Sequence, residues 1–273
     1  MAEENTFPKG DLMRGKKGLV MGVANHNSIA YGIASQLAAQ GAEMAWTYMG
    51  EGLERRVRPL AEGLGVKHLI QADVSDDASM DAAFVDIEKA LGGLDFVVHS
   101  IAFANKDELK GSFVEKTTRE GFLTAMNISA FSFVDVARRA EKLMKPGGSI
   151  IALTYIGSTR VIPNYNTMGV AKAALEAAVR YVARDFGPKG IRVNAVSPGA
   201  MRTLSLAGIS GGRGLLSHGR ALSAMKEDTS MEGVAGAALW LLSDLGRSTT
   251  GEVVFVDAGF HMMGVSLDEE AEG

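Results

Sequence analysis

The sequence contains no cysteine. Disulfides, thiolate metal sites and thiol nucleophiles are therefore excluded together, oxygen and nitrogen groups must do any chemistry, and a cytoplasmic location is the expectation. A surplus of charge is also missing: 28 basic against 32 acidic side chains leave a formal charge of -4. Nothing in that balance drives binding to a phosphate backbone, so nucleic acid is not an expected partner. No apolar stretch is long and unbroken enough to span a bilayer. Residues 1–10 carry Glu3 and Glu4 and no basic segment leading into an apolar run, so neither a secretory signal nor a membrane partner is expected. His26, His68, His99, His218 and His261 are scattered, with no pair at metal-ligand spacing, and no metal site is expected.

What is present is ordinary globular material: 273 residues, 47% hydrophobic and 22% charged, the size of one large α/β domain over 1–273. Short β-type runs at 18–23, 43–48, 67–71, 95–99, 149–154, 192–196 and 252–256 alternate with longer helical patterns at 29–40, 80–91, 118–144, 165–186 and 231–245. That alternation predicts a Rossmann-type doubly wound parallel sheet of about seven strands with helices on both faces. No repeat, low-complexity block or linker divides the chain. The stretch 201–230 is rich in Gly and Ser and follows the sixth strand, where a small helical lid is expected. The acidic tail, 267–273, reads as a solvated end.

The first strand runs into Gly22-Val23-Ala24-Asn25-His26-Asn27-Ser28-Ile29-Ala30-Tyr31-Gly32, within which a helix begins. Strand, turn and helix N-terminus in that order offer unpaired backbone N–H groups and a positive dipole end to a pyrophosphate. Gly22 permits the sharp turn, Gly32 a close packing of helix on sheet, and Ser28 either caps the helix or donates to phosphate. Taken alone these residues also fit a capped helix after a β-turn. Asp73-Val74 after the third strand, suited to an adenine ring, and Ser100-Ile101-Ala102 after the fourth favour the dinucleotide reading, and His99 flanks the same place by position. After the second strand stand Met49-Gly50-Glu51 and no basic residue, which favours NADH over NADPH; Arg55 and Arg56, one helical turn later, remain within reach.

The segment from Thr154 to Lys172 joins the fifth strand to a helix. With a helix beginning near Asn164, Tyr165 and Lys172 lie almost two turns apart on nearly one face. A phenol can hydrogen-bond the oxyanion that develops as hydride adds, while a nearby ammonium binds ribose hydroxyls and favours the ionised phenol. The bland alternative is a packing Tyr and a solvated Lys. Asp257-Ala258-Gly259 after the last strand reads as a turn and a subunit contact.

From Gly22 to Gly259 the sequence resembles the short-chain dehydrogenase/reductase superfamily, and within it the divergent enoyl-acyl-carrier-protein reductases of bacterial type II fatty acid synthesis. Typical members of the superfamily place Tyr and Lys four apart with a Ser about thirteen residues before the Tyr; here Gly169 stands four after Tyr165, and Ala152 and Leu153 occupy the Ser neighbourhood. Tyr165-x6-Lys172 with the extra Tyr155 is similar to the enoyl reductases, as are Gly22-x5-Ser28-Ile29-Ala30-Tyr31-Gly32, His99-Ser100-Ile101-Ala102-Phe103-Ala104, Pro163-Asn164-Tyr165-Asn166 and Arg202-Thr203-Leu204.

The resemblance implies NADH-dependent reduction of the trans-2 double bond of an enoyl thioester carried on acyl carrier protein, by a homotetramer. It implies that Tyr165 bonds the thioester carbonyl, Lys172 the nicotinamide ribose, Tyr155 lines the site as a second proton handler, Ala104 touches the acyl substrate, and Met201, Arg202, Thr203, Leu204 and Ser205 close over the cofactor. Two departures stand out. Ser197-Pro198-Gly199-Ala200-Met201 replaces the family's usual Ser-Ala-Gly-Pro, and the lid is thin in basic residues, with Arg213 among Ser210, Gly211, Gly212 and Gly214. A carbonyl or alcohol dehydrogenase and a non-catalytic dinucleotide-binding sensor remain the competing readings.

Overall fold

The structure is a computed structural model that describes residues 7–207 and 212–264. Strands β1 (Lys17–Met21), β2 (Glu43–Tyr48), β3 (His68–Gln71), β4 (Leu94–His99), β5 (Met144–Leu153), β6 (Arg192–Pro198) and β7 (Val253–Val256) form one sheet in the order β3-β2-β1-β4-β5-β6-β7. Every neighbouring pair is parallel. A parallel sheet is covered on both faces, so its strands read as nearly continuous apolar runs. Helices α1 (Ile29–Ala39), α2 (Glu51–Gly63) and, near the end of the chain, Met231–Leu242 pack on one face; α3 (Asp77–Leu91), Ser132–Glu141 and Asn166–Phe186 pack on the other. Along β5 the two-residue period sorts the core: Ile150 and Ala152 face one layer, Ile151 and Leu153 the other.

The strand order reverses between β1 and β4. Chain leaving the carboxyl end of β1 crosses one way and chain leaving β4 the other, which opens a crevice between them. That crevice positions the site.

Several elements differ from the sequence expectation. Helix α2 was not anticipated, because 51–63 is mostly charged and holds Pro59; its apolar stripe, Leu53, Val57, Leu60, Ala61 and Leu64, nevertheless packs on the sheet. Two short helices, α4 (Lys106–Leu109) and α5 (Phe113–Lys116), occupy a stretch that carries no periodic signal. The expected helix at 118–144 is α6 (Arg119–Met126), a π turn over Asn127–Phe131, and α7 (Ser132–Glu141). Strand β5 then begins at Met144 rather than 149, with a register shift opposite Leu94 and Phe96, since Pro146-Gly147-Gly148 reads as loop. The next helix, α8 (Asn166–Phe186), starts one residue after Tyr165. In the lid, α9 (Leu204–Ala207) and α10 (Gly212–Leu222) precede α11 (Met231–Leu242). Residues 209–211 of the lid, the side chain of Arg213 and the acidic tail 267–273 lie outside the described residues.

Gly32 serves a different contact from the one expected. A Cβ there would overlap the Met231 side chain, so the close approach is α1 on α11, helix on helix.

Candidate active site

A cavity of about 870 Å³ opens at the carboxyl edge of the sheet, within the size range of small-molecule sites. Ile29 at the start of α1 and Ser100, Ile101 and Ala102 after β4 form one side of it. Met201, Thr203 and Leu204 form the lid side, and Ala104, Tyr155, Tyr165 and Lys172 the rest of the expected set. The other candidates lie outside the wall. Met49 is 61% exposed just beyond β2. Asp73 turns its Oδ1 to the amide and hydroxyl of Ser75 at 2.9 and 2.6 Å, and Val74 packs on the core. Arg202 borders a separate small cavity with His26 and Asn27. Ser205 belongs to α9, but its side chain lies outside the described residues.

The turn after β1 is built on Gly22. Its φ is 98°, and a Cβ would overlap the carbonyl oxygen of Ser100, so backbone meets backbone across the switch point. Of the two roles expected of Ser28, the cap is not taken: it occupies the N-cap of α1 but makes no side-chain cap bond. Its Oγ instead accepts from the amides of Ala24 and Asn25, both at 3.0 Å, which fixes the turn. The amides of Ile29 and Ala30 have no partner among the described residues. Two free donors at the N-terminus of an eleven-residue helix, whose first residue Ile29 borders the cavity, are what a pyrophosphate requires, so the residues present fit a dinucleotide.

Tyr165 sits at the N-cap of α8 between Asn164 and Asn166, whose φ values are 60° and 37°. Asparagine tolerates that left-handed region, and the side chains tie the turn to the α4–α5 connection. Asn164 Oδ1 accepts from the Gly111 amide at 3.2 Å, and Asn166 Nδ2 donates to the carbonyls of Glu108 and Gly111 at 3.0 and 3.2 Å. The Tyr165 ring lies against Gly157, where a Cβ would come 2.7 Å from Cε1, and stands edge-on to Tyr155 with centroids 5.1 Å apart. Gly169, four residues on, has the same logic: a Cβ there would come 2.8 Å from the Gly157 carbonyl oxygen. That crowding leaves no room for a long side chain at this position.

Burial, with Tyr155 and Glu176 adding to it, pushes the Tyr165 phenol well above its usual range. Tyr155 is raised too, by burial and then by Asp257. Both phenols are therefore protonated donors at neutral pH, burial opposing the ionised form that a nearby ammonium favours. Lys172 is 6% exposed and donates to the Leu153 carbonyl at 2.7 Å. Its ammonium is pushed down to about 8 by burial, against the opposing effect of Glu176.

Behind the cavity, His99 is fully buried, with Nε2 2.9 Å from Ser132 Oγ. Ser132 gives its proton to the Ile128 carbonyl at 2.6 Å, so its oxygen accepts from His99 Nε2–H. That leaves Nδ1 unprotonated and without a hydrogen-bond partner among the described residues. The π turn also presents Ser129, whose Oγ accepts from the Phe103 amide at 2.9 Å and donates to the Phe103 carbonyl at 3.0 Å. It clamps the segment that carries Ala102 and Ala104. His99 thus supports the floor of the site and does not line it.

Sequence reasoning missed Thr154, Met168 and Leu206 in the wall and Glu176 behind it. Glu176 had a signal: it and Lys172, four residues apart, interrupt the otherwise apolar stripe Met168, Ala171, Leu175 and Val179 of α8.

Fold and cavity together define a dinucleotide-binding α/β protein with two protonated phenols and an ammonium gathered beside the cofactor crevice. A family model described as enoyl-(acyl carrier protein) reductase matches residues 22–261. The chain is 54% identical over 251 residues, 92% of it and 93% of the relative, to enoyl-[acyl-carrier-protein] reductase [NADH] 2 of Rhizobium meliloti strain 1021. The crystal structure of the Anaplasma phagocytophilum enoyl-(acyl-carrier-protein) reductase in complex with NAD is 51% identical, with a TM-score of 0.92 covering 96% of this chain and 100% of that one. The Bacillus cereus enoyl-acyl carrier protein reductase, solved with NADP+ and an indole naphthyridinone, is 49% identical, with a TM-score of 0.91 covering 93% of this chain and 100% of that one. The chain belongs to the enoyl-(acyl carrier protein) reductase family.

Proposed function

We propose that this chain reduces the trans-2 double bond of an enoyl thioester with NADH, the last reductive step of the fatty acid elongation cycle, and that its substrate is carried on acyl carrier protein. The observation that carries the reading is the pair of protonated phenols, Tyr155 and Tyr165, set edge to face in the cavity that Lys172 borders. NADH supplies hydride to the β-carbon when bound. The amides of Ile29 and Ala30 hold its pyrophosphate, and Lys172 hydrogen-bonds the ribose hydroxyls. Ser100, Ile101 and Ala102, with Met201, Thr203 and Leu204, enclose it, while Met49 and Asp73-Val74 meet its adenosine end. Tyr165 donates to the thioester carbonyl oxygen as charge develops there, and a donor aimed at that oxygen stabilises the enolate before the α-carbon is protonated. Tyr155 and Ala104 wall the acyl side.

Carbonyl reduction needs a proton delivered to the oxygen that ends as alcohol; alkene reduction needs the oxygen held and then released. Tyr165, raised by burial, suits holding. Tyr165→Phe is expected to lower kcat by roughly 100- to 1,000-fold, the cost of one oxyanion donor, with NADH affinity unchanged. Full turnover by that variant contradicts the assignment.

A cytoplasmic homotetramer completes the proposal. Among the described residues no helix is long and apolar enough to cross a membrane. Edge strand β7 leaves Val253–Val256 half-buried, and Tyr181, Trp240 and Leu245 are exposed, to serve contacts between copies. Light scattering that gives a monomer contradicts it.

A further inference from the structure

Two consecutive residues at the end of β5 are stitched to two residues one turn apart on α8. Lys172 Nζ donates to the Leu153 carbonyl at 2.7 Å, and Thr154 Oγ1 donates to Glu176 Oε1 at 2.6 Å. Thr154, Lys172 and Glu176 are 5%, 6% and 6% exposed. A carboxylate so deeply buried is costly unless it is hydrogen-bonded and has a counter-charge. Thr154 supplies the bond, and the ammonium one turn earlier on the same face supplies the charge. The Leu153 carbonyl takes one of the three ammonium protons; the others have no acceptor among the described residues, and the ammonium borders the cavity.

We propose that Glu176, seated by the Thr154 hydroxyl, is a positioning residue that holds the Lys172 ammonium charged and aimed at the nicotinamide ribose. This rests on reading the cavity as the NADH site. Among the described residues, the groups around Lys172 leave no other anion for the task. His99 from β4 is neutral, and Tyr155 after β5 and Tyr165 at the head of α8 are protonated phenols. Among the described residues, Glu176 alone opposes the effect of burial on the ammonium. Without it the lysine loses its proton at a lower pH, and a neutral amine is a weaker donor to a hydroxyl.

The test is NADH binding, followed by fluorescence energy transfer from protein to nicotinamide between pH 7 and 10, with no substrate present. Wild type is expected to lose affinity on an alkaline limb that Lys172→Met abolishes. Glu176→Gln is expected to move the midpoint of that limb down by on the order of one pH unit, and Glu176→Asp to restore it in part. Thr154→Val keeps the shape of the side chain and is expected to shift the limb the same way by less. An unchanged midpoint in folded Glu176→Gln overturns the proposal. Should that variant not fold, an unchanged midpoint in Thr154→Val does so. A limb that persists in Lys172→Met overturns it as well. Failure of wild type to bind NADH at any pH overturns instead the reading of the cavity.

Discussion

Replacing His99 tests the structure where its proton accounting is most explicit. The imidazole is fully buried, gives its one N–H to Ser132 and leaves Nδ1 with no hydrogen-bond partner among the described residues. A second proton would place a buried charge close to the Lys172 ammonium, with only the residue's own backbone to offset it. Burial first, and Lys172 second, therefore push His99 down from 6.5 to about 3. A group whose value is depressed on folding stabilises the protein above its unfolded value, and that stability is lost as pH falls toward the folded value. The window here runs from about pH 6.5 down to about 3. Each unit within it costs about 1.4 kcal/mol, so about 3 kcal/mol disappears between pH 7.5 and 4.5. His99→Gln keeps a donor for Ser132 and cannot titrate. Urea unfolding of both proteins at pH 7.5 and 4.5, at one protein concentration because assembly adds its own dependence, isolates the effect, since the carboxylates cancel in the difference. Whatever the substitution costs at pH 7.5, its gap to wild type is expected to shrink by about 3 kcal/mol at pH 4.5. A gap that stays constant refutes the buried, neutral, Nε2-protonated imidazole.

Gly22→Ala forces a side chain into the Ser100 carbonyl at a φ of 98°. It is expected to cost roughly 3 kcal/mol or more in stability and to abolish NADH binding; a variant that melts and binds like wild type contradicts the described turn. Gly157→Ala pushes the Tyr165 ring from its seat, so kcat is expected to fall by up to about 100-fold while NADH affinity is kept, and an unaltered kcat is the contrary result. With Met49 and no cation directly after β2, NADH is expected to bind more tightly than NADPH in parallel titrations; the reverse order removes that reading of the adenosine end.

The sheet was legible because a strand buried on both faces must be apolar throughout, and runs such as Leu19-Val20-Met21 and Phe96-Val97-Val98 cannot hide. Helix α2 was not, because a helix covering the flank of a sheet needs only a narrow stripe, and its charged face and Pro59 mask that stripe. The π turn at Asn127–Phe131 also escaped, since one extra residue in a continuous helical pattern leaves no break to see, yet Ser129 within it bonds Phe103 and Ser132 directly after it bonds His99 at the end of β4. In the site, the spacing of Tyr165 and Lys172 revealed their shared cavity, because helical geometry converts spacing into direction. The state of the phenol was not readable that way. It depends on how far Tyr165 is buried and then on Tyr155 and Glu176, and burial is a property of the packed molecule. The cap role of Ser28 was unreadable for a similar reason: a residue at a cap position can bond backward, as its oxygen does to Ala24 and Asn25.

The central claim is that this cavity reduces an alkene conjugated to a thioester. The most direct measurement follows NADH absorbance with enoyl thioesters on acyl carrier protein and on coenzyme A, alongside a ketone of matched length. NADH oxidised in equal amount to saturated thioester formed, faster on the carrier protein and absent with the ketone, is the expected result. Bound NADH that no enoyl thioester oxidises, or a ketone reduced in preference, contradicts it.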